Sequence, residues 1–581
     1  MSEPITYKTL ERAAKQHTGT PISVAVLGNA ATQRLSRAFA GALSLSGFDV
    51  TCFDAGYDQI DAQILDTDSE LYRADPAYIL LFLCAEKLLD AFRTTPTAER
   101  PLFAEHMADR IRSYLALIES RLRATVFLCD IPAHDDGVFG DYAYSQPMSF
   151  PYQMRKLNFL LSETAAADKH LRIVPLSLIM AQHGNTARDE RMYLAARMAI
   201  SDSVTADLAL RVAREISILR GAIKKAVILD LDNTLWGGVI GDDGLDGIAL
   251  GELGEGRAFT AMQSWLKELR MRGIILAVCS KNEEEAARLP FTSHPDMILR
   301  TDDISVFCAN WNDKASNIAA IQKTLNIGFD SMVFLDDNPF EREQVKAVHP
   351  TVTVPELPED PAMRLPYLLS LNLFGTSSYS DDDANRTAQY IAEAARVKSS
   401  QSFADYGEYL KSLQMQAEVT PFVPYWYERI PELSQRSNQF NLRTLRMTAA
   451  DVEHYASNED YITLAFTLAD KFGSHGLISV VLLKRIPEGW FIENWFMSCR
   501  VLKRGMEDFI LGTLIEKTGG ALYGEYIPTK KNALVASLLD SLGFEMYEID
   551  ETGKKQYVLP AGCAAKPTHI KGTAPDPGQN A

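Results

Sequence analysis

The stretch Lys225-Ala-Val-Ile-Leu-Asp230-Leu-Asp232-Asn-Thr234 constrains the chain more than any other. A continuous apolar run marks a strand buried on both faces, as in a parallel sheet covered by helices. Two aspartates stand at its C-terminal end. Residues two apart in an extended chain point the same way, so Asp230 and Asp232 converge on one point of the crevice where parallel sheets bind ligands. Two carboxylates that close need a cation, a proton or both. Mg²⁺ suits hard oxygen donors and phosphate substrates.

Later elements return to the same rim. Ser280 and Lys281 follow an apolar strand at 274–278, Lys314 follows Trp311-Asn-Asp, and Asp336 and Asp337 end a strand at 332–335. A hydroxyl and a lysine can hold phosphate oxygens, and a second acidic pair completes a metal site. One Asp-x-Asp alone would read as a helix-capping turn. Four such elements in order, each closing an apolar strand, read as a phosphoryl-transfer centre.

Bulk properties set the frame. A chain of 581 residues holds three or four domains. Its formal net charge of −18 disfavours nucleic acid and anionic membranes as partners. No apolar run reaches the length of a membrane span, and the polar start is no signal peptide, so a cytoplasmic location is expected. The seven cysteines lack Cys-x-x-Cys pairs, which argues against disulfides and structural zinc and leaves thiols for chemistry.

Residues 1–220 alternate strands, at 23–27, 48–53, 78–83, 125–129 and 173–176, with helices such as 34–45 and 102–123, which predicts an α/β domain with a parallel sheet. Residues 221–376 form a second α/β unit, with strands at 226–229, 274–278, 297–299 and 332–335 and a helix at 257–272. The Ser/Asp-rich run 377–383 reads as a linker. Residues 384–560 read as α+β, with strands at 461–468, 476–484 and 490–497 and a helix at 506–517. The tail, 561–581, is expected to be disordered.

The order Asp-x-Asp-x-Thr, Ser, Lys, Asp-Asp resembles the haloacid-dehalogenase (HAD) superfamily, whose core is a Rossmann-like parallel sheet. The resemblance implies Asp230 as nucleophile and Asp232 as general acid/base. It implies Thr234, Ser280, Lys281 and Lys314 around the phosphate, and Mg²⁺ on Asp230, Asp232, Asp336 and Asp337, with Asp232 offering its backbone carbonyl.

Further stretches narrow the likeness: Leu235-Trp236-Gly237-Gly238, Val278-Cys279-Ser280-Lys281-Asn282, Asn438-Gln-Phe-Asn441, Phe472-Gly473 and Met497-Ser-Cys-Arg500. Together they resemble the FkbH-like (HAD-IIIC) branch along nearly the whole chain. That resemblance implies an enzyme that takes 1,3-bisphosphoglycerate or a related acyl phosphate, removes phosphate, and passes the acyl group to an acyl carrier protein in polyketide or related biosynthesis. Cys279 would carry the acyl group, with His294 a candidate base and Cys308 a second thiol. A plain Mg²⁺-dependent phosphatase acting on a small phosphorylated metabolite is the alternative.

The flanking segments resemble an SGNH-hydrolase-like domain and a GNAT-like domain. The first lacks a serine after its first strand, where Gly28-Asn29-Ala30-Ala31-Thr32 stands, and is expected to be non-catalytic. In the second, Arg500-Val-Leu-Lys503-Arg504-Gly505 departs from the coenzyme-A loop of that family, because Lys503 replaces a glycine. Arg500, Lys503, Arg504 and Gly505, with Lys530 and Lys531 nearby, form a basic set expected to bind the carrier protein or its pantetheine arm.

Overall fold

The computed structural model describes residues 5–376, 396, 403 and 405–573, apart from the side chain of Arg500. The proposed linker at 377–383 lies outside the described residues. Contacts divide the chain into two units, Met1–Ser217 and Ile218–Ala581.

The first unit is a parallel sheet in the order β2-β1-β3-β4-β5, made of β1 (Thr20–Gly28), β2 (Phe48–Tyr57), β3 (Tyr78–Phe82), β4 (Thr125–Cys129) and β5 (Leu171–Val174). β3 is buried along its whole length, as its unbroken apolar run predicts. Thr32, the nearest hydroxyl to the missing serine, is fully buried and donates to Asp54 Oδ1 at 2.7 Å.

The second unit holds two sheets. The first is parallel, in the order β8-β7-β6-β9: β6 (Ala226–Leu229), β7 (Ile275–Ser280), β8 (Ile304–Ala309) and β9 (Met332–Leu335). Residues 297–299 are not the strand their hydrophobicity predicts. Met297 and Leu299 are buried as core side chains, while Gln263 Oε1 accepts from the backbone N–H groups of Ile298 and Leu299 at 2.9 and 3.2 Å, so no ladder is needed. The strand is β8, an edge strand half-buried at Val306, Phe307 and Cys308, where the apolar signal is diluted.

The second sheet has eight strands, mostly antiparallel: β10 (Gln416–Thr420), β11 (Tyr461–Asp470), β12 (Gly473–Ile486), β13 (Gly489–Met497), β14 (Leu522–Tyr526), β15 (Glu545–Ile549), β16 (Lys555–Leu559) and β17 (Lys571–Thr573). This is the α+β arrangement expected of a GNAT-like segment. β17 lies in the tail expected to be disordered; it pairs in parallel with β10, giving that strand's outer edge a partner. Residues 574–581 lie outside the described residues.

β13 and β14 pair in parallel only at Trp490–Leu522 and Phe491–Tyr523. Beyond, residues 440–442 bridge them. Met497 N–H donates to the Phe440 carbonyl at 3.1 Å, Leu442 N–H to Trp495 at 3.2 Å, and Ile527 N–H to Leu442 at 3.0 Å.

The two sheets meet at the N-terminal end of β6 and β9. Lys225 Nζ donates to the Arg436 carbonyl at 2.7 Å, Asn438 Nδ2 to Gly221 at 3.0 Å, and Lys531 Nζ lies 2.5 Å from Asp330 Oδ2. The third segment therefore sits on the edge opposite Asp230. Five residues of extended chain, from Lys225 to Asp230, span roughly 16 Å. Among the described residues no helix is long and apolar enough to cross a membrane.

Candidate phosphoryl-transfer site

β6 ends at Leu229, and the chain turns at once. Asn233 takes a left-handed φ of 52°, which asparagine tolerates better than most residues. Its Oδ1 accepts from Gly238 N–H at 2.9 Å, closing the turn. Asp230 and Asp232 are thereby held at the C-terminal rim. The end of β9 brings Asp336 and Asp337, and the helix Lys314–Leu325 brings Lys314 at its first residue.

These groups form one cluster. Lys314 Nζ lies 2.9 Å from Asp230 Oδ1 and 2.5 Å from Asp336 Oδ2, and all three side chains are buried. Oxygens of Asp230, Asp336 and Asp337 lie within 4.8 Å of one another, and among the described residues this is the acidic group that could hold a metal ion. Thr234 Oγ1 donates to Asp337 Oδ1 at 3.2 Å and accepts from Asp337 N–H at 3.1 Å. Arg342 Nη1 donates to the carbonyls of Asp336 and Asp337 at 2.9 and 2.7 Å, and Arg364 donates to that of Asn233. The acidic loops are thus held from behind.

The charges do not balance. Burial pushes the Asp230 carboxyl up to about 6, with Lys314 opposing and Asp336 adding to the rise. Burial also raises Asp336 and Asp337. Burial works against the Lys314 charge, but Asp230 and Asp336 outweigh it and hold the ammonium above the usual lysine range. Three carboxylates face one ammonium. A divalent cation on these hard oxygen donors would restore neutrality, so the residues fit Mg²⁺.

Asp232 stands apart from the metal-facing oxygens. Its Oδ1 accepts from Trp236 Nε1 at 2.9 Å and Ile240 N–H at 3.0 Å, and its Oδ2 accepts from Asn282 Nδ2 at 2.7 Å. Ser280 is buried and accepts from the same Asn282 Nδ2 at 3.3 Å. Asn282 and Trp236 were missed as site residues by sequence reasoning. The available signal was the two-residue spacing of Ser280 and Asn282, which repeats that of Asp230 and Asp232.

Other expected site residues are placed elsewhere. Lys281 Nζ is 2.6 Å from Glu341 Oε1. Glu341 is buried, so this pairing already engages the Lys281 ammonium. Cys279 neighbours Asp230, since Leu229 registers with Val278. Its side chain points down, however, into the cluster that includes Ile228, Ala315 and Ile318. It is fully buried, and its Sγ donates to the Lys314 carbonyl at 3.7 Å. Burial pushes the thiol well above its usual range, with Lys314 opposing. A buried, protonated thiol is no nucleophile. Cys308 is half-buried and also raised by burial. His294 follows the helix Glu284–Ser293, which runs away from the rim for ten residues, or about 15 Å. There its Nδ1 accepts from Asp296 N–H at 3.2 Å, a structural role.

The basic set of the third segment is also redistributed. Arg504 is buried, 3.6 Å from Asp470 Oδ2 and 3.4 Å from His475 Nε2. Arg396 grips the same Asp470 through Nε and Nη2, each at 2.8 Å. Lys531 is spent on Asp330. Lys503 and Lys530 stay exposed. Lys503 has a left-handed φ of 62° where glycine would sit without strain. Gly505, with φ 81°, caps the helix Met506–Thr518. The side chain of Arg500 lies outside the described residues.

Comparison with known proteins agrees with this geometry. Residues 23–216 match the family described as FkbH, N-terminal domain. The N-terminal part of a Bacteroides fragilis protein, which contains a phosphatase domain and was crystallised in complex with Mg, is 44% identical; the match covers 64% of this chain and 99% of that one, with a TM-score of 0.62. The ribosomal-protein-S18-alanine N-acetyltransferase of Escherichia coli is 15% identical over 26% of this chain and 97% of its own, with a TM-score of 0.20. The GNAT domain of S. lividans PAT is 16% identical over 24% of this chain and 89% of its own, also at 0.20. Likeness at that score carries no weight. No curated protein matches. With an FkbH N-terminal domain joined to a phosphatase-type centre, and a 44% identical structure that it spans almost entirely, the chain belongs to the FkbH-like family.

Proposed function

We propose that this chain is a loading enzyme. It takes 1,3-bisphosphoglycerate or a related acyl phosphate, places the acyl group on the pantetheine thiol of an acyl carrier protein, and removes the remaining phosphate ester at Asp230. The observation that carries the phosphoryl-transfer half is the cluster of Asp230, Asp336 and Asp337 around the buried Lys314. Family membership supports the transfer half.

The chemistry divides into two displacements. The carrier thiol attacks the acyl carbon; the carbon–sulfur bond forms, the bond to the phosphate oxygen breaks, and phosphate leaves with the proton given up by the thiol. This step needs no ATP, because the acyl phosphate is already activated. Asp230 then attacks the phosphorus of the ester that remains. The bond to the glyceryl oxygen breaks, and that oxygen takes a proton from Asp232. Water next attacks the phosphorus of the aspartyl phosphate and gives a proton to Asp232; the bond from phosphorus to the Asp230 oxygen breaks, phosphate leaves, and the Asp230 carboxylate is restored. Lys314 steadies the phosphoryl oxygens in flight. A Mg²⁺ ion held by Asp230, Asp336 and Asp337 would offset charge on those oxygens.

The burial of Cys279 favours direct attack by the carrier thiol over an enzyme-bound thioester. It equally favours a second reading, a phosphatase for small phosphorylated metabolites without acyl transfer. Intact-mass spectrometry of enzyme and carrier protein with 1,3-bisphosphoglycerate separates the two. A glyceryl adduct on the carrier, formed as well by Cys279→Ser as by wild type, supports loading. Phosphate release with no adduct on either protein overturns it in favour of the phosphatase.

A further inference from the structure

Asn282 has no part in the chemistry above, yet it touches Asp232, which does, and Ser280, the hydroxyl that the sequence places at the phosphate rim. Asn282 is 5% exposed. Nδ2 lies 2.7 Å from Asp232 Oδ2 and 3.3 Å from Ser280 Oγ. The Asp232 carboxylate, the form that takes a proton from water, only accepts, and in that form it faces the amide nitrogen of Asn282, as the structure has it. The two amide hydrogens are then assigned, one to Asp232 and one to Ser280. Ser280, accepting from Asn282, has its own hydrogen left to donate.

The remaining contacts of Asp232 come from a different part of the chain. Trp236 Nε1 and Ile240 N–H both hold Oδ1. Trp236 lies on the loop after β6 and Ile240 begins the helix that follows it, whereas Asn282 lies on the loop after β7. Without Asn282 the carboxylate would be fixed at one oxygen only and free to swing about it. Oδ2 is the oxygen left with a single protein donor, and so the one able to exchange a proton with a leaving group or a water.

We propose that Asn282 is a positioning residue: one amide group aligns the Asp232 carboxylate and the Ser280 hydroxyl across the gap between two strand ends. The proposal rests on the reading of Asp232 as the acid/base group. Asn282 acts through that carboxylate and not on the substrate. Its effect should therefore fall on the chemical step and spare substrate and metal binding.

The test uses the full chain with Mg²⁺ and p-nitrophenyl phosphate, in wild type, Asn282→Ala and Asn282→Asp; Asn282→Ser serves if the alanine variant fails to fold. Asn282→Ala should lower kcat by about a hundredfold, as a misplaced catalytic group does, with KM and the half-saturating Mg²⁺ concentration within twofold of wild type. Asn282→Asp should fall further, since an acceptor replaces the donor facing Asp232. A readout independent of turnover comes from the indole N–H resonances of the six tryptophans. The Trp236 signal, assigned by its loss in Trp236→Phe, should shift in Asn282→Ala while the other five stay.

A Trp236 signal unmoved by Asn282→Ala would overturn the proposal, as would a kcat within twofold of wild type. A loss of kcat matched by an equal rise in the Mg²⁺ requirement would also overturn it, by showing a general disturbance of the site. If wild type releases no phosphate, the reading of Asp232 as acid/base fails instead, and the indole arm still decides whether Asn282 holds it.

Discussion

The central rim and the loop before the helix Met506–Thr518 both bring like charges together, and the sequence marks both as ligand sites. Their fates differ. At the rim, three carboxylates surround one lysine and excess negative charge is left facing the crevice. In the third segment Arg504 turns inward against the Asp470 side chain, which Arg396 also grips, and Lys531, still exposed, reaches Asp330 in the turn before β9, while Lys503 and Lys530 stay in solvent. The lesson is that a charge cluster becomes a candidate site when the fold leaves it unneutralised. Neutralised clusters hold domains together.

The largest effect expected from this contrast is at Asp230. Asp230→Asn should lower phosphate release by about three orders of magnitude or more, as loss of a covalent nucleophile does. In metal-free protein the same change relieves crowding among three acids, so the melting temperature should not fall. A drop of several degrees without metal would mean that Asp230 is structural.

Arg504→Ala should give the mirror image. Asp470 keeps Arg396 when Arg504 is lost, so the cost should stay below the roughly 3–5 kcal/mol of an uncompensated buried charge while still showing in denaturant unfolding. Activity of the folded fraction toward a small phosphate ester should be unchanged. Lys503→Glu, on an exposed side chain, should shift stability by less than about 0.5 kcal/mol. If Lys503→Glu weakens carrier binding at low salt and folded Arg504→Ala does not, the docking role belongs to Lys503 alone. Equal stability losses in both would erase the contrast.

Mg²⁺ sharpens the rim side of the comparison. A cation at a hundred times its dissociation constant should stabilise the protein by about 2.7 kcal/mol. EDTA should remove that gain together with phosphate release. Asp336→Asn should lose most of it. An unchanged melting temperature with and without Mg²⁺ would mean that the folded protein does not bind the ion.

Acid should weaken the third segment first. Burial acts to raise the Asp470 carboxyl, but its contacts with His475 and Arg396 prevail and hold it below the usual carboxylate range. A depressed carboxyl contributes stability that is present above its unfolded value of about 3.9 and is lost as pH falls through the folded one. Unfolding of wild type below about pH 4 should therefore be steeper than that of Asp470→Asn.

Much of this was legible in the sequence. β3 and β4 of the first unit and β6, β7 and β9 announce themselves as apolar runs, because a strand covered on both faces has no polar side to show. Asp230, Asp232, Lys314 and the acidic pair at 336–337 were legible because each ends such a strand or begins the helix that follows. What failed was whatever depends on where a side chain turns. β8, at a sheet edge, looked less like a strand than the buried coil at 297–299. Cys279 and Ser280 are adjacent in sequence but face opposite ways, so a neighbour of the phosphate rim became a core residue. His294 was carried off by a ten-residue helix. Arg504 looks like a surface cation until the fold buries Asp470 beside it. Pairing between distant residues decides such cases, and a single sequence does not encode it in any local pattern.

The central claim is that the unneutralised cluster at Asp230 is where phosphate is transferred. Its most direct measurement is intact-mass spectrometry of wild type and Asp230→Asn, quenched in acid during turnover of a phosphate ester with Mg²⁺, followed by peptide mapping. The account predicts one phosphoryl group on wild type, labile to hydroxylamine and mapped to Asp230, and none on Asp230→Asn. Undiminished phosphate release by Asp230→Asn, or a phosphoryl group mapped to another residue, would contradict it.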